Sequence, residues 1–331
     1  MGWITSFFGM IFNYIFEIVA MGMPVATLGI TIIIFTVVTR VLMTPLQIMQ
    51  QRTTKGMAVI QPELEKLQKK YKDKKDAASQ AEYSAAMQSL YKKHKVNPLA
   101  GCLPLLIQLP LIMALFGVLR EASTYIIKLK DVYTGLSTNI IASVGNYQEI
   151  LQPYLDIHGM KGRIEYDLTQ ATTQQGVLGL KDLLSKLTSS QWSELLGQMP
   201  QDALSSIQPL IEQKNNYEWF VFNLVDTPSQ LVSSGIWLAL IVPVLVWIST
   251  IIYSKYTMAQ TQAKQSGEPA NAQSAQTMKT MNTLMPLMTA FFSYTMPCGL
   301  ALYWIMGNII MLVQQILVTK LLDKQDAVSN T

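Results

Sequence analysis

The chain has 331 residues, of which 50% are hydrophobic and only 14% charged, whereas a soluble domain carries about a quarter charged residues. That deficit points to lipid, and a net charge of +4 is too small to suggest nucleic-acid binding. Two cysteines (Cys102, Cys298) and two histidines (His94, His158) form no CxxC, HExxH or His/carboxylate pattern, so no metal or other cofactor is expected.

Residues 1–22 lack the basic n-region of a cleaved secretory signal and carry no cysteine for lipidation. On a helix, Gly2, Ser6, Gly9, Asn13 and Glu17 form one narrow polar stripe among Phe and Ile. This predicts a helix lying in the membrane interface, with an extra or uncleaved hydrophobic span as the alternative. Residues 23–49 hold the first transmembrane helix, apolar from Val25 to Leu46 except for Arg40.

Residues 50–98 are strongly basic, yet Met57, Ile60, Leu64, Leu67 and Tyr71 recur at helical spacing, as do Tyr83, Met87 and Leu90. Two short amphipathic helices turning near Lys75–Ser79 would bury both stripes in a cytoplasmic helical hairpin. The second transmembrane helix occupies 99–120. An extracytoplasmic insertion follows at 121–230, with amphipathic helices expected over Val177–Leu196 and Gln201–Gln213. The stretch before them, with Gly145, Pro153, Gly159 and Gly162, reads as irregular. A third span covers 231–253 and a flexible Gln/Ala/Ser-rich cytoplasmic loop covers 254–282. Residues 283–319 form the fourth and fifth spans, whose short Pro297-Cys298-Gly299 link forces an antiparallel hairpin. A short tail, 320–331, ends the chain. The fold expected is an all-α polytopic membrane protein with five transmembrane helices.

Loop charge sets the orientation. Between Gln50 and Pro98 stand eleven Lys or Arg against five Asp or Glu, whereas Glu121 to Ser234 holds seven against twelve. Segment 254–282 has three lysines and one glutamate. The signs alternate as an odd number of spans requires, with the N-terminus outside and the C-terminus cytoplasmic.

Arg40 is the sharpest functional feature. It lies about 9 Å inside the cytoplasmic interface at 1.5 Å per residue, where an arginine costs roughly 2.5–3.5 kcal/mol and normally faces protein or a watery cavity. Thr36, Arg40, Thr44 and Gln47 share one helical face, as one wall of a hydrated groove would require. A snorkelling arginine is the plain alternative. Gln108 interrupts the second span, Thr289 and Ser293 share a face of the fourth, and Trp304 and Asn308 share a face of the fifth. Each alone fits ordinary interhelical bonding; with Arg40 they suggest a substrate-binding groove. Met278, Met281, Met285 and Met288 form an adaptable apolar stripe, equally suited to packing.

The stretch NPLAGCLPLLIQLPLIMALF, Asn97 to Phe116, and PCGLALYWIMGN, Pro297 to Asn308, resemble the second-span and last-span signatures of the YidC/Oxa/Alb insertases. Arg40, in FTVVTRVLMTPL, stands where that family carries its groove arginine. The resemblance covers about 20–120 and 230–320. It implies a five-helix core around a hydrophilic groove open to cytoplasm and lipid. Arg40 would attract acidic residues in a client's short outer tail, and Gln108 and Trp304 would line the groove. The implied partners are nascent membrane proteins such as an ATP synthase ring subunit, membrane lipids, the ribosome, the signal recognition pathway and the Sec translocon. The outer segment is much longer than the brief loop of the compact Gram-positive type. It also follows the second span, not an extra N-terminal helix as in Gram-negative members.

An anion transporter using Arg40 is the main alternative reading, although it would call for repeated halves and paired broken helices. A purely structural assembly factor is another. An enzyme is not expected, since no nucleotide loop, intramembrane carboxylate or nucleophile–base pair is present.

Overall fold

The computed structural model describes residues 2–71, 76–94, 103–158, 160, 168, 174–263 and 272–329. Among them the fold is all-α, with one isolated bridge, Trp219 to Asn223, and no strand. Two compact units are present. One joins Met1–Thr36, Pro110–Val246 and Ala290–Met306; the other joins Val37–Leu109, Trp247–Thr289 and Gly307–Thr331.

Helix α1 spans Gly2–Gly22, α2 Thr27–Leu42, α3 Thr44–Tyr71, α4 Ala77–Lys93 and α5 Leu103–Arg120. Toward the C-terminus, a 3-10 turn at Trp237–Leu240 leads into α13, Ile241–Ala263, followed by α14, Ala272–Thr295, and α15, Cys298–Ser329. Among the described residues, Trp3–Gly22, Trp237–Ala259 and Cys298–Leu322 are long and apolar enough to cross a membrane. Thr27–Leu42 with Thr44–Thr53 adds a fourth candidate, bent by 52°. The segment read as the first span is therefore a bent pair of helices. Pro45 has no N–H for the Val41 carbonyl, so the helix breaks at Met43.

The intervening segment is more helical than its sequence suggests. It contains α6 (Ala122–Tyr125), α7 (Ile127–Ser143), α8 (Tyr147–Ile157), α9 (Gln174–Leu184), α10 (Ser189–Gly197), α11 (Gln201–Glu218) and α12 (Pro228–Ser233). The stretch read as irregular thus contains α7 and α8, while Gly159 and Gly162 lie outside the described residues. The helix expected over Val177–Leu196 is two helices, because Thr188 caps α10 in a capping box with Gln191.

In the first unit, α7 buries Leu129, Val132, Tyr133, Leu136 and Ile140, a stripe at helical spacing. Helix α11 buries Ala203, Ile207, Ile211, Lys214, Tyr217 and Glu218. Two charges on that stripe are offset by partners. Lys214 Nζ lies 3.0 Å from Glu218, with their side chains 4% and 2% exposed. The Tyr133 hydroxyl donates to Glu218 at 2.6 Å, and burial, then the Glu218 charge, pushes that phenol well above its usual range.

The same segment caps two other helices. The Asn216 carbonyl accepts from Ala26 N–H at 2.8 Å, where Ala26 turns the chain into α2 at φ 57°. The Asp226 and Leu224 carbonyls accept from Cys298 and Gly299 at 2.8 and 2.9 Å, satisfying orphan donors at the start of α15. A Cβ on Gly299 would lie 3.0 Å from Ile32 Cδ1 and 3.2 Å from the Leu224 carbonyl oxygen, so the approach requires glycine.

Helix α1 packs within this unit by both faces. Phe12 and Phe16 are buried against the Phe35 and Tyr217 rings. Along its polar stripe, Asn13 accepts from Ile127 N–H at 2.8 Å and Glu17 pairs with Lys128 at 3.5 Å. The residues that read as water-facing in sequence meet protein at these positions.

In the second unit α3 and α4 form the expected hairpin. Ile60, Leu64 and Tyr71 are buried, Tyr71 and Tyr83 pack with ring centroids 5.8 Å apart, and Asp76 caps α4 through Ser79 N–H. Glu63 pairs with Lys93 and contacts His94. A groove of about 460 Å³ runs between the helices, floored by Leu67, Ala86 and Leu90 and edged by Lys66, Lys70 and Lys93. The side chain of Met57 and residues 72–75, 95–102 and 264–271 lie outside the described residues, as do Asn97, Pro98 and Cys102 of the second-span signature.

Candidate functional site

Arg40 is 8% exposed despite its charge. A buried guanidinium needs polar company, and two helices of the second unit supply it. From α5, Gln108 Oε1 accepts a 2.9 Å hydrogen bond from Arg40 Nη1. From α15, Gly307 brings bare backbone to the guanidinium, so close that a Cβ there would lie 2.8 Å from Nη2. Also from α15, the Gln314 amide donates to the Arg40 carbonyl and to Thr44 Oγ1, both at 2.9 Å.

The last contact sits at the helix break. Thr44 Oγ1 also donates to the Arg40 carbonyl, at 3.2 Å, so the bend is stitched by a hydroxyl and an amide. Two turns further on, Gln51 Nε2 donates to Gln315 Oε1 at 2.6 Å, with both residues buried. Adjacent glutamines on α15 thus fix the direction in which α3 leaves the bend toward the hairpin. Asn308 donates to Ser249 and Thr250 of α13 at 3.1 and 3.0 Å.

Of the residues singled out in sequence, Arg40, Gln108 and Thr44 come together in one hydrogen-bonded cluster. Asn308 serves the α13–α15 contact. Gln47 is half-buried beyond the bend. Thr289 turns back to the Met285 carbonyl of its own helix. Thr36, Ser293 and Trp304 belong to the first unit. There Thr36 is buried and bonds the Ile32 carbonyl, Ser293 bonds the Ala290 carbonyl, and Trp304 is half-buried. Met285 and Met288 are 46% and 48% exposed, while the side chains of Met278 and Met281 lie outside the described residues. Sequence reasoning missed Gln314, Gln315, Gln51 and Gly307. An adjacent glutamine pair inside an apolar run was the available signal; the glycine had none.

The cluster can do no bond-making chemistry. What it holds is one permanent positive charge, since arginine keeps its proton, in fixed orientation among neutral donors and acceptors. Such a charge can attract an anionic group of a passing ligand or polypeptide.

Comparison with known proteins places the cluster in context. A family model described as the 60Kd inner membrane protein matches residues 20–325. The chain is 45% identical over 97 residues to the "Membrane protein insertase YidC" of Fusobacterium nucleatum subsp. nucleatum, covering 29% of this chain and 45% of that protein. It is 44% identical over 119 residues to the Clostridium perfringens protein of the same name, covering 35% and 48%. It is 43% identical over 88 residues to the "Membrane protein insertase MisCA" of Bacillus subtilis, covering 27% and 33%. These alignments span less than half the length of each relative. The family match, in contrast, runs from before α2 into α15 and takes in every helix that builds the Arg40 cluster, so the chain belongs to the 60Kd inner membrane protein family.

Proposed function

We propose that the protein is a membrane protein insertase, which receives nascent membrane proteins beside Arg40 and releases them into the bilayer. The observation that carries this reading is the buried, oriented Arg40 guanidinium bonded to Gln108. Relatives named as membrane protein insertases support it. A client with a short acidic outer tail must bring charge through hydrocarbon, where each charge is costly. A fixed cation partway down offsets part of that cost transiently, and burial of the client's apolar span in lipid then drives release.

The remaining polar positions of the same unit, Thr44, Gln47, Thr289 and Asn308, are proposed to hydrate the path. The chain is read as five spans with the basic hairpin in the cytoplasm and segment 121–230 outside. This is the orientation in which eleven basic residues lie on the cytoplasmic side. The lysine-edged groove of the hairpin suits first contact with acidic, partly apolar segments. The ribosome, the signal recognition pathway and the Sec translocon are the proposed partners for delivery.

Site-specific photocrosslinking tests the location. A probe replacing Thr44 should crosslink a ribosome-stalled single-span client at the stage when its acidic tail is still cytoplasmic, and the adduct should vanish once insertion completes. A client that inserts without ever crosslinking at this position would refute the reading.

A further inference from the structure

Gly307 contributes nothing to Arg40 but space, and the space is tight. A Cβ built there would lie 2.8 Å from Arg40 Nη2 and 3.5 Å from both Cζ and Nε. The Nη2–Nε edge of the guanidinium therefore comes up against α15 at this residue, while Nη1 on its other arm donates to Gln108 at 2.9 Å. Backbone on one side and an acceptor on the other define a slot. Neither the helix nor its packing otherwise calls for glycine here. Gly307 has no positive φ, and in a helix interior glycine costs about 1 kcal/mol relative to alanine.

We propose that Gly307 is a positioning residue for Arg40: its missing side chain lets the Nη2 edge of the guanidinium close up on α15 and sets the place and direction of the site's charge. The inference rests on the reading of Arg40 as the charge that receives acidic client tails, and adds that where the charge sits matters as well as its presence. Ordinary contact between carbon and a neighbouring heavy atom is about 3.5–4.0 Å. A methyl group at position 307 therefore pushes Nη2 away by about 0.7–1.2 Å. The obstacle is the end of a flexible side chain, so the helices need not move. The guanidinium yields instead, and a shift of that size carries the Gln108 bond from 2.9 Å toward or past the limit of a hydrogen bond, about 3.5 Å. Lysine at position 40 has no planar fork to seat and no need of the slot.

The test is a four-protein cycle in proteoliposomes: wild type, Gly307→Ala, Arg40→Lys and the double variant, scored by insertion of a single-span client with an acidic outer tail. Arg40→Ala is run beside them. The Arg40 guanidinium ¹⁵N resonances, assigned by their loss in Arg40→Lys, are followed in nanodiscs. Gly307→Ala is expected to slow insertion about three- to tenfold in the wild-type background. It should cause no further change in the Arg40→Lys background, shift the guanidinium resonances, and leave thermal stability the same or higher. Equal slowing in both backgrounds, or unmoved resonances, would overturn the inference and make Gly307 a helix-packing residue. If the resonances move but Arg40→Ala inserts at the wild-type rate, the failure belongs to the reading of Arg40, and the role proposed for Gly307 in insertion goes with it.

Discussion

Replacing Lys214 by Met should destabilise the helical segment between α5 and α13 far more than an ordinary i,i+4 pair would suggest. On an exposed helix such a pair contributes about 0.2–0.5 kcal/mol, and Lys preceding Glu is the weaker order. Here both side chains are nearly inaccessible, 4% and 2% exposed, at a separation of 3.0 Å. At an effective dielectric constant of 20 the pair attraction is about 5.5 kcal/mol. Removing the cation alone leaves a buried carboxylate, at a cost of roughly 3–5 kcal/mol. The Tyr133 hydroxyl and the Asn223 amide still donate to Glu218, at 2.6 and 3.4 Å. The Met thioether can also take the place of the ammonium 5.2 Å above the Trp192 ring. The lower end, about 3 kcal/mol, is therefore expected. In the double variant Lys214→Met/Glu218→Gln neither member of the pair is left charged without its partner, and stability should return to within about 1 kcal/mol of wild type. Hydrogen exchange of the α7 and α11 amides in detergent reads these differences. The single variant should exchange about a hundredfold faster, and the double variant less than about tenfold faster. A single variant that behaves as wild type, or a double variant worse than the single, would refute the reasoning.

Two further outcomes follow from the geometry. Asp226 has its carboxyl raised, first by burial and then by the Glu218 charge, against the opposing Ser189 hydrogen bonds and the Lys214 charge. A carboxylate with a raised folded value binds its proton more tightly in the native state. Its contribution to stability is therefore full below the unfolded value of 3.8 and lost as pH rises through the raised one. The stability of Asp226→Asn relative to wild type should accordingly be more favourable at pH 7 than at pH 4 in paired melts, and the opposite trend would contradict the assignment. At the other site, Gln314→Leu removes both amide hydrogen bonds that stitch the bend and leaves the Thr44 hydroxyl bond in place, at about 1 kcal/mol or more. Exchange of the Met43 and Gln47 amides should quicken about tenfold, with little change in α7; unaltered protection would show that Gln314 does not hold the bend.

The helices that cross apolar ground were legible because composition alone marks them, and Arg40 and Gln108 were legible as polar groups with no business in hydrocarbon. Their being bonded to each other could not be read, because it depends on how α2 and α5 pack. The break at Met43 was present in the sequence as Pro45, but a proline near a span end also fits an unbent helix. Helix α7 carried a clear stripe in Leu129, Val132, Tyr133, Leu136 and Ile140. Attention to the glycines and Pro153 obscured it, and tertiary burial overrides their weak local preference. In α1 the polar stripe was correctly placed, but protein and water leave the same signature on a helix face. Gly307 illustrates the limit most clearly, since a residue that acts by leaving room offers no chemistry to recognise.

The central claim is that a fixed positive charge at position 40 admits acidic client tails. Its most direct test is insertion of one single-span client, with either an acidic or an uncharged outer tail, into liposomes carrying wild type, Arg40→Lys or Arg40→Ala. The account predicts that Arg40→Ala loses the acidic-tailed client while keeping most insertion of the uncharged one, and that Arg40→Lys restores the acidic-tailed client at least in part. Equal insertion of both clients by wild type and Arg40→Ala would contradict it.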